Sequence, residues 1–184
     1  MKENLHDIIN GCANRNLLMQ KALYSLCYDE MMKVCMRYTN DLETSASLFN
    51  DAMFKVFKNV DSYKNEGKIM GWVKRIVINT CIDYLRLKTP VPTVEITESN
   101  EADYAIEENV LDKISALEIQ KIINQLPKNL AMVFNLYIYE EFNHTEIGEL
   151  LKIPSGTSRY YLSEARRLLK GKIENNIFSL NTTL

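Results

Sequence analysis

Residues 143–170 read NHTEIGELLKIPSGTSRYYLSEARRLLK and have the layout of two helices joined by a tight turn. Asn143 stands three residues before Glu146, which is the spacing of a capping box at the start of a helix. A turn containing Pro154 and Gly156 follows, and a longer helix begins after it. The residues expected to hold the two helices together are Ile147, Gly148, Leu150, Leu151 and Ile153.

This layout is that of a helix-turn-helix, in which the start of the second helix is free to enter the major groove of DNA. The side chains expected to meet phosphates or base edges there are Ser155, Thr157, Arg159 and Tyr160. The alternative is an ordinary helical hairpin with a solvated basic face. The spacing, the turn proline and the basic helix occur together, so the pattern favours DNA binding.

The charges of the chain are segregated although its formal net charge is only -2. Residues 55–88 carry eight basic and three acidic residues, and residues 152–172 carry six basic and one acidic. Between them, residues 90–117 carry seven acidic residues and one basic residue. Two basic zones separated by an acidic one indicate two nucleic-acid-binding surfaces that the net charge conceals.

The composition argues against a metalloenzyme or a membrane protein. The four cysteines are Cys12, Cys27, Cys35 and Cys81. They form no CxxC pair, and only His6 and His144 could join them as zinc ligands, so we expect reduced, mostly buried thiols and no metal or cofactor. A helical hydrolase has little support because the acids are scattered, and we expect no catalytic residue. No apolar run approaches the roughly 20 residues that cross a bilayer, so we expect a cytoplasmic protein without membrane insertion.

The periodicity of apolar residues predicts an all-α fold of two helical domains joined by a flexible acidic linker. Residues 1–88 are expected to form four helices, the last from about Ile69 to Leu87. Pro90 and Pro92 end that helix, and the linker spans residues 89–114. Residues 115–178 form the second domain, which contains the helix-turn-helix, and residues 179–184 form a tail.

Motifs in both domains resemble those of the sigma-70 family of bacterial RNA polymerase. The second half is similar to sigma region four at Leu126-Pro127, Val133-Phe134, Glu140, Glu146-Ile147, Gly156-Thr157 and Ala165-Arg166. The first half is similar to sigma region two at Arg37-Tyr38-Thr39, Asn50-Asp51, residues 54–59, Asp61-Ser62-Tyr63, Trp72, Arg75-Ile76, Asn79 and residues 83–86. Two such blocks with a short linker resemble the extracytoplasmic-function group.

The resemblance implies a promoter-recognition subunit of RNA polymerase that is not itself an enzyme. Its polymerase partners would be the clamp coiled coil of the largest subunit, contacted by Asn50 and Asp51, and the flap. Region four would read the upstream promoter element through Ser155, Thr157, Arg159, Tyr160 and Arg166. Region two would hold the melted downstream element through Tyr63, Lys64, Asn65, Glu66, Lys68, Lys74, Arg75, Asn79 and Arg86. Promoter DNA, duplex and melted, is thus the second partner, and an anti-sigma protein is a further candidate.

Several positions depart from the family pattern. Thr44-Ser45-Ala46-Ser47 stands where relatives commonly have acids, and Glu164 stands where many have arginine. Glu141 and Lys152 replace the glycines usual at two turns, which puts the local geometry there in question. We expect comparatively weak binding to the upstream element, because fewer phosphates are neutralised.

Three further questions stay open at this point. The acidic linker is either solvated or a mimic of nucleic acid in the RNA exit path of the polymerase. Trp72 is favoured as a core anchor over a base stacker. A stand-alone helix-turn-helix regulator explains the second half of the chain but not the motifs of the first.

Overall fold

The computed structural model describes residues 4–63, 68–88 and 116–181. It divides the chain into two compact units, Met1–Lys88 and Thr89–Leu184. Every regular element within the described ranges is a helix, which confirms the all-α fold. The predicted contacts Lys64, Asn65 and Glu66 and the predicted acidic linker lie outside the described residues, so they stay predictions.

The described residues of unit 1 form four α-helices and a 3-10 turn. These are α1 (Leu5–Ala13), α2 (Leu17–Thr39), α3 (Leu42–Asn59), the 3-10 turn Val60–Ser62 and α4 (Ile69–Lys88). Asparagine and aspartate begin the first three helices, because their short side chains accept hydrogen bonds from backbone N–H groups left unpaired there. Asn16 accepts from Leu18 and Met19, for example, and Asp41 accepts from Thr44. The prediction of four helices in this half is confirmed.

The core of unit 1 lies between α2, α3 and α4, which pack against one another. Its fully buried side chains include Leu23, Met31, Phe49, Met53, Ile69 and Ile78. All four cysteines are buried free thiols, as expected. Cys81 of α4 donates its thiol hydrogen to Cys35 of α2 at 3.9 Å, and this bond lowers the pKa of Cys35 while burial opposes the change. The thiols therefore serve as small apolar core residues that join helices.

Unit 2 contains α5 (Ala116–Ile123), α6 (Lys128–Ile138), α7 (His144–Leu151) and α8 (Ser155–Asn181). The capping box is present: Asn143 accepts from the backbone of Thr145 and Glu146, and the Glu146 carboxylate accepts from the Asn143 N–H at 2.8 Å. Helix α8 packs on α6 and α7 and continues to Asn181, into the segment assigned to a tail. No proline follows Gly171 to end it earlier.

The turn between α7 and α8 depends on close backbone approach. Ile153 donates its N–H to the carbonyl of Gly148 at 3.0 Å, and a Cβ atom on Gly148 would lie 2.8 Å from the carbonyl oxygen of Ile153. Ile147 and Ile153 are buried beneath this turn, as predicted. Glu141 and Lys152 nevertheless adopt the left-handed conformation that glycine favours, with φ of 61° and 57°. The turn geometry is thus retained without the glycines, at the cost of backbone strain.

Candidate nucleic-acid and polymerase interfaces

Asn50 and Asp51 lie on the exposed side of α3, and both side chains reach solvent. The buried side of the same helix carries Phe49, whose ring packs edge-on against Tyr24 of α2 at 4.9 Å between centroids. The Tyr24 hydroxyl donates a hydrogen bond to Oδ1 of Asn50 at 2.8 Å. The Asn50 amide is therefore held in one orientation by a residue of the neighbouring helix.

Phe54 extends this surface by one helical turn beyond Asn50 and is 70% exposed. The motif at residues 54–59 supports the family resemblance but does not by itself indicate that Phe54 is a contact. An exposed aromatic ring beside an amide and a carboxylate is a feature of protein-binding surfaces, where aromatic residues act as anchors. Phe54 follows Asn50 by four residues, and this helical spacing could have identified Phe54 as part of the same surface.

Helix α4 presents polar and cationic residues along one side. Trp72, Arg75, Asn79 and Arg86 recur at intervals of three, four and seven residues, so they project in similar directions. Arg75 and Asn79 are exposed, whereas Lys74 and Arg86 are half-buried. Lys68 is exposed just before the helix begins. The described part of unit 1 thus places the predicted cations Lys68, Lys74, Arg75 and Arg86 on or directly before one helix.

Tyr63 and Trp72 form an aromatic pair at the start of this surface. Their ring centroids are 5.6 Å apart and the rings are inclined at 49°. Both side chains are half-buried, and the Tyr63 hydroxyl hydrogen-bonds to no residue of the described ranges. Trp72 therefore packs against the Tyr63 ring near the surface of unit 1 and does not lie fully in the core.

The first turns of α8 bring together part of the predicted DNA-reading set. Arg159 and Tyr160 are exposed and Ser155 is half-buried. Thr157 is only 3% exposed, because it lies on the side of α8 that packs on the unit. The predicted contact of Thr157 with DNA is therefore not supported by its position in the structure. Arg166 is half-buried and its guanidinium carbon lies 6.0 Å from the ring centre of Tyr137, so it packs at the flank of the helix.

His144 joins the two helices of the motif through contacts that no local sequence signal indicates. Its ring stacks on Tyr137 of α6 with centroids 4.7 Å apart and an angle of 21°. Its Nδ1 atom lies 2.9 Å from the hydroxyl of Ser158, which is fully buried at the start of α8. His144 is half-buried and helps to fix α8 relative to α7.

Arg167, adjacent to the predicted contact Arg166, lies on the outward side of α8. Its Nη2 and Nε atoms donate to the two carboxylate oxygens of Glu164 at 2.6 and 2.8 Å. These bonds from Arg167 lower the pKa of Glu164, although partial burial opposes the change. The pair is a bidentate arginine–carboxylate bridge on the exposed part of the helix.

Two negative findings apply to the described residues. No group of three or more histidine, cysteine, aspartate or glutamate side chains among them could hold a metal ion. None of the described helices is long and apolar enough to span a membrane. The arrangement offers cationic and aromatic surfaces on exposed helix faces.

Comparison with known families assigns both units. Residues 23–90 match the model of sigma-70 region 2, and residues 116–169 match the model of sigma-70 region 4. The chain is 24% identical over 158 residues to the ECF RNA polymerase sigma factor SigW of Bacillus subtilis, covering 80% of this chain and 84% of that one. It is 23% identical over 152 residues to the RNA polymerase sigma-H factor of Pseudomonas aeruginosa, covering 76% and 78%.

A solved structure shares the fold. The sigma factor RpoE of Bartonella quintana, crystallised with the anti-sigma factor NepR, aligns with a TM-score of 0.54 at 16% identity and covers 84% of this chain and 96% of its own. Two consecutive sigma regions define a DNA-binding subunit of the polymerase. The chain belongs to the sigma-70 family, as a sigma factor of the extracytoplasmic-function type.

Proposed function

We propose that this chain docks on core RNA polymerase through α3 of unit 1, grips the melted downstream promoter element through α4, and reads the upstream element through α8. The observation that carries the proposal is the match of each unit to a different sigma region, each with its own cationic helix. In this scheme the polymerase performs the synthesis, and the sigma chain contributes binding energy alone.

The polymerase-docking surface is assigned to the exposed side of α3. Asn50 and Asp51 supply polar contacts whose partner is the clamp coiled coil of the largest subunit, and exposed Phe54 supplies an apolar anchor. The four residues before this surface, from Thr44 to Ser47, carry no charge. Asp51 therefore contributes much of the local electrostatic steering, which acts mainly on the rate of association.

Holding a melted strand requires cations along the backbone and a ring for an unstacked base. Lys68 and Arg75 supply exposed cations, Tyr63 supplies the ring, and Trp72 supports that ring from behind. Stacking a base on an aromatic ring is worth about 1–3 kcal/mol, which is comparable to the cost of unstacking it. Binding of the single strand can therefore favour melting without ATP. Lys64, Asn65 and Glu66 remain part of this proposal from sequence.

The upstream element is assigned to the start of α8, with Arg159 and Tyr160 as the exposed readers and Ser155 beside them. The N-terminus of a helix also favours phosphate, through unpaired N–H groups and the helix dipole. We extend the proposal to the flap of the polymerase as a partner of unit 2. An anti-sigma protein is a further proposed partner, because the related RpoE was solved with NepR.

The decisive experiment is in vitro transcription with core polymerase over a library of genomic promoters. Addition of the full chain is expected to produce transcripts that core polymerase alone does not make. Asp51→Asn should reduce all of these transcripts together, whereas Arg159→Ala should reduce them according to their dependence on the upstream element. Asp29→Asn, which removes an exposed acid from α2, serves as the charge-matched control. Duplex DNA binding without any polymerase-dependent transcript would support a stand-alone regulator and overturn the proposal.

A further inference from the structure

The bridge between Glu164 and Arg167 occupies an arginine that projects away from the packed side of α8 in its later turns. Ser158, Leu162, Ala165 and Leu169 are buried at intervals of three and four residues and mark the side of α8 that packs on the unit. Arg167 lies nine residues after Ser158, so its side chain projects from the opposite side of α8. It also follows exposed Tyr160 by seven residues, which is about two turns, so these two side chains lie on the same face of the helix. The Arg167 side chain is 52% exposed.

The position of Arg167 along the helix suits a phosphate more than a base edge. Helix α8 begins at Ser155, and Arg167 follows twelve residues later, about 18 Å along the axis. In a helix-turn-helix the first turns of the second helix contact base edges, whereas groups further along are placed near the sugar-phosphate backbone. Arginine is suited to phosphate because its planar fork can donate two parallel hydrogen bonds.

The guanidinium group of Arg167 already donates two hydrogen bonds within the protein. Both carboxylate oxygens of Glu164 accept from Arg167, at 2.6 and 2.8 Å. To bind a phosphate in the same bidentate way, Arg167 must leave the carboxylate. Glu164 then remains beside the DNA as an uncompensated negative charge, because a glutamate carboxylate is ionised at neutral pH.

We propose that Glu164 is an intramolecular competitor of DNA phosphate, which holds Arg167 in a bridge and thereby limits the affinity of unit 2 for the upstream element. This inference rests on the proposed function and adds an affinity-setting residue to it. An exposed ion pair is weak, so the bridge lowers the affinity for DNA without preventing binding. Promoter engagement then depends more strongly on the polymerase and on unit 1.

A double-mutant cycle on reconstituted holoenzyme separates release of Arg167 from simple loss of a negative charge. The variants are Glu164→Gln, Arg167→Ala and the combination, with binding to a labelled promoter duplex measured across a series of salt concentrations. Glu164→Gln should tighten binding by about fivefold and steepen the salt dependence by about 0.9, the slope of one more neutralised phosphate. Arg167→Ala alone should weaken binding only slightly, through the unpaired carboxylate of Glu164, whereas in the Glu164→Gln background it should weaken binding more and abolish the gain.

Glu174→Gln is the matched control, because it removes an exposed acid from the same helix. The bridge of Arg167 is made to Glu164, so this substitution leaves that bridge intact. It should leave the affinity nearly unchanged. The idea is overturned if Arg167→Ala weakens binding equally in both backgrounds, or if Glu164→Gln has no effect. A loss of preference at a single base pair in Glu164→Gln would also overturn it and indicate that Glu164 reads a cytosine amino group. A wild-type holoenzyme that fails to bind any promoter would contradict the proposed function instead.

Discussion

The hydroxyl of Tyr24 and Oδ1 of Asn50 are joined by a 2.8 Å hydrogen bond that connects α2 to the exposed side of α3. The Tyr24 ring is itself fixed by its edge-on contact with buried Phe49. The bond leaves the amide nitrogen of Asn50 directed to other partners. A side chain held in one orientation loses less entropy on association, so this bond would favour the proposed contact of Asn50 with the polymerase.

Tyr24→Phe is therefore expected to weaken association with core polymerase by about two- to tenfold, the range of one neutral hydrogen bond, while the fold is retained. Asn50→Ala should weaken it further, because the contact itself is lost. Competition binding against a labelled sigma chain measures both effects.

Tyr28→Phe is the control for this prediction, because Tyr28 also packs edge-on against Phe49, at 5.5 Å, and its hydroxyl does not bind Asn50. If Tyr24→Phe and Tyr28→Phe bind alike while Asn50→Ala binds weakly, the orienting role of Tyr24 is wrong.

Local sequence signals predicted the helices well because each signal acts within a few residues. The capping box at Asn143 and Glu146 is an example, since its donors and acceptors are neighbours along the chain. The buried positions Ile147 and Ile153 followed from helical periodicity together with the turn proline. Such features need no knowledge of the rest of the molecule.

Contacts between helices could not be predicted from such local sequence signals. The bonds from Tyr24 to Asn50 and between His144 and Ser158 join residues 26 and 14 positions apart, and only tertiary packing brings them together. The family resemblance indicated Arg166, whereas the structure shows that the adjacent Arg167 is the more exposed of the two. Adjacent residues point about 100° apart, and the direction of the core, which decides between them, is set by α6 and α7.

Loss of the Tyr63 ring should impair promoter opening. Tyr63→Ala removes the surface on which an unstacked base would lie, so we expect the open-complex population to fall by about five- to hundredfold, corresponding to about 1–3 kcal/mol of stacking. Tyr63→Phe keeps the ring and removes a hydroxyl with no hydrogen-bond partner in the described ranges. Permanganate reactivity of melted thymines measures opening.

The same variants can be followed by fluorescence, because Trp72 is the only tryptophan in the chain and lies 5.6 Å from the Tyr63 ring. Single-stranded downstream DNA should change its emission in the wild type and in Tyr63→Phe. Normal opening in Tyr63→Ala would show that another group holds the base.

Gly148→Ala should destabilise the helix-turn-helix by about 1–3 kcal/mol, because the new methyl group would lie 2.8 Å from a backbone oxygen that cannot move independently. Hydrogen exchange of the α6–α8 amides reads unit 2 alone. Gly171→Ala is the matched control, since no atom lies within 4 Å of its added Cβ, and it should stabilise α8 by up to about 1 kcal/mol. Equal effects of the two substitutions would contradict the close approach between Gly148 and Ile153.

Replacing Glu141 or Lys152 by glycine should stabilise unit 2, because each of these residues has a positive φ although it carries a side chain. Replacing either by glycine relieves the steric cost of the left-handed conformation and adds some backbone entropy to the unfolded chain. We expect a net gain of about 0.5–1 kcal/mol for each, measured by the same hydrogen exchange. Glu141→Ala and Lys152→Ala remove the same charges but keep the Cβ, so they should give no such gain. If the alanine and glycine variants were equally stabilised, the gain would come from the lost charge, and the strain assigned to these two turns would be absent.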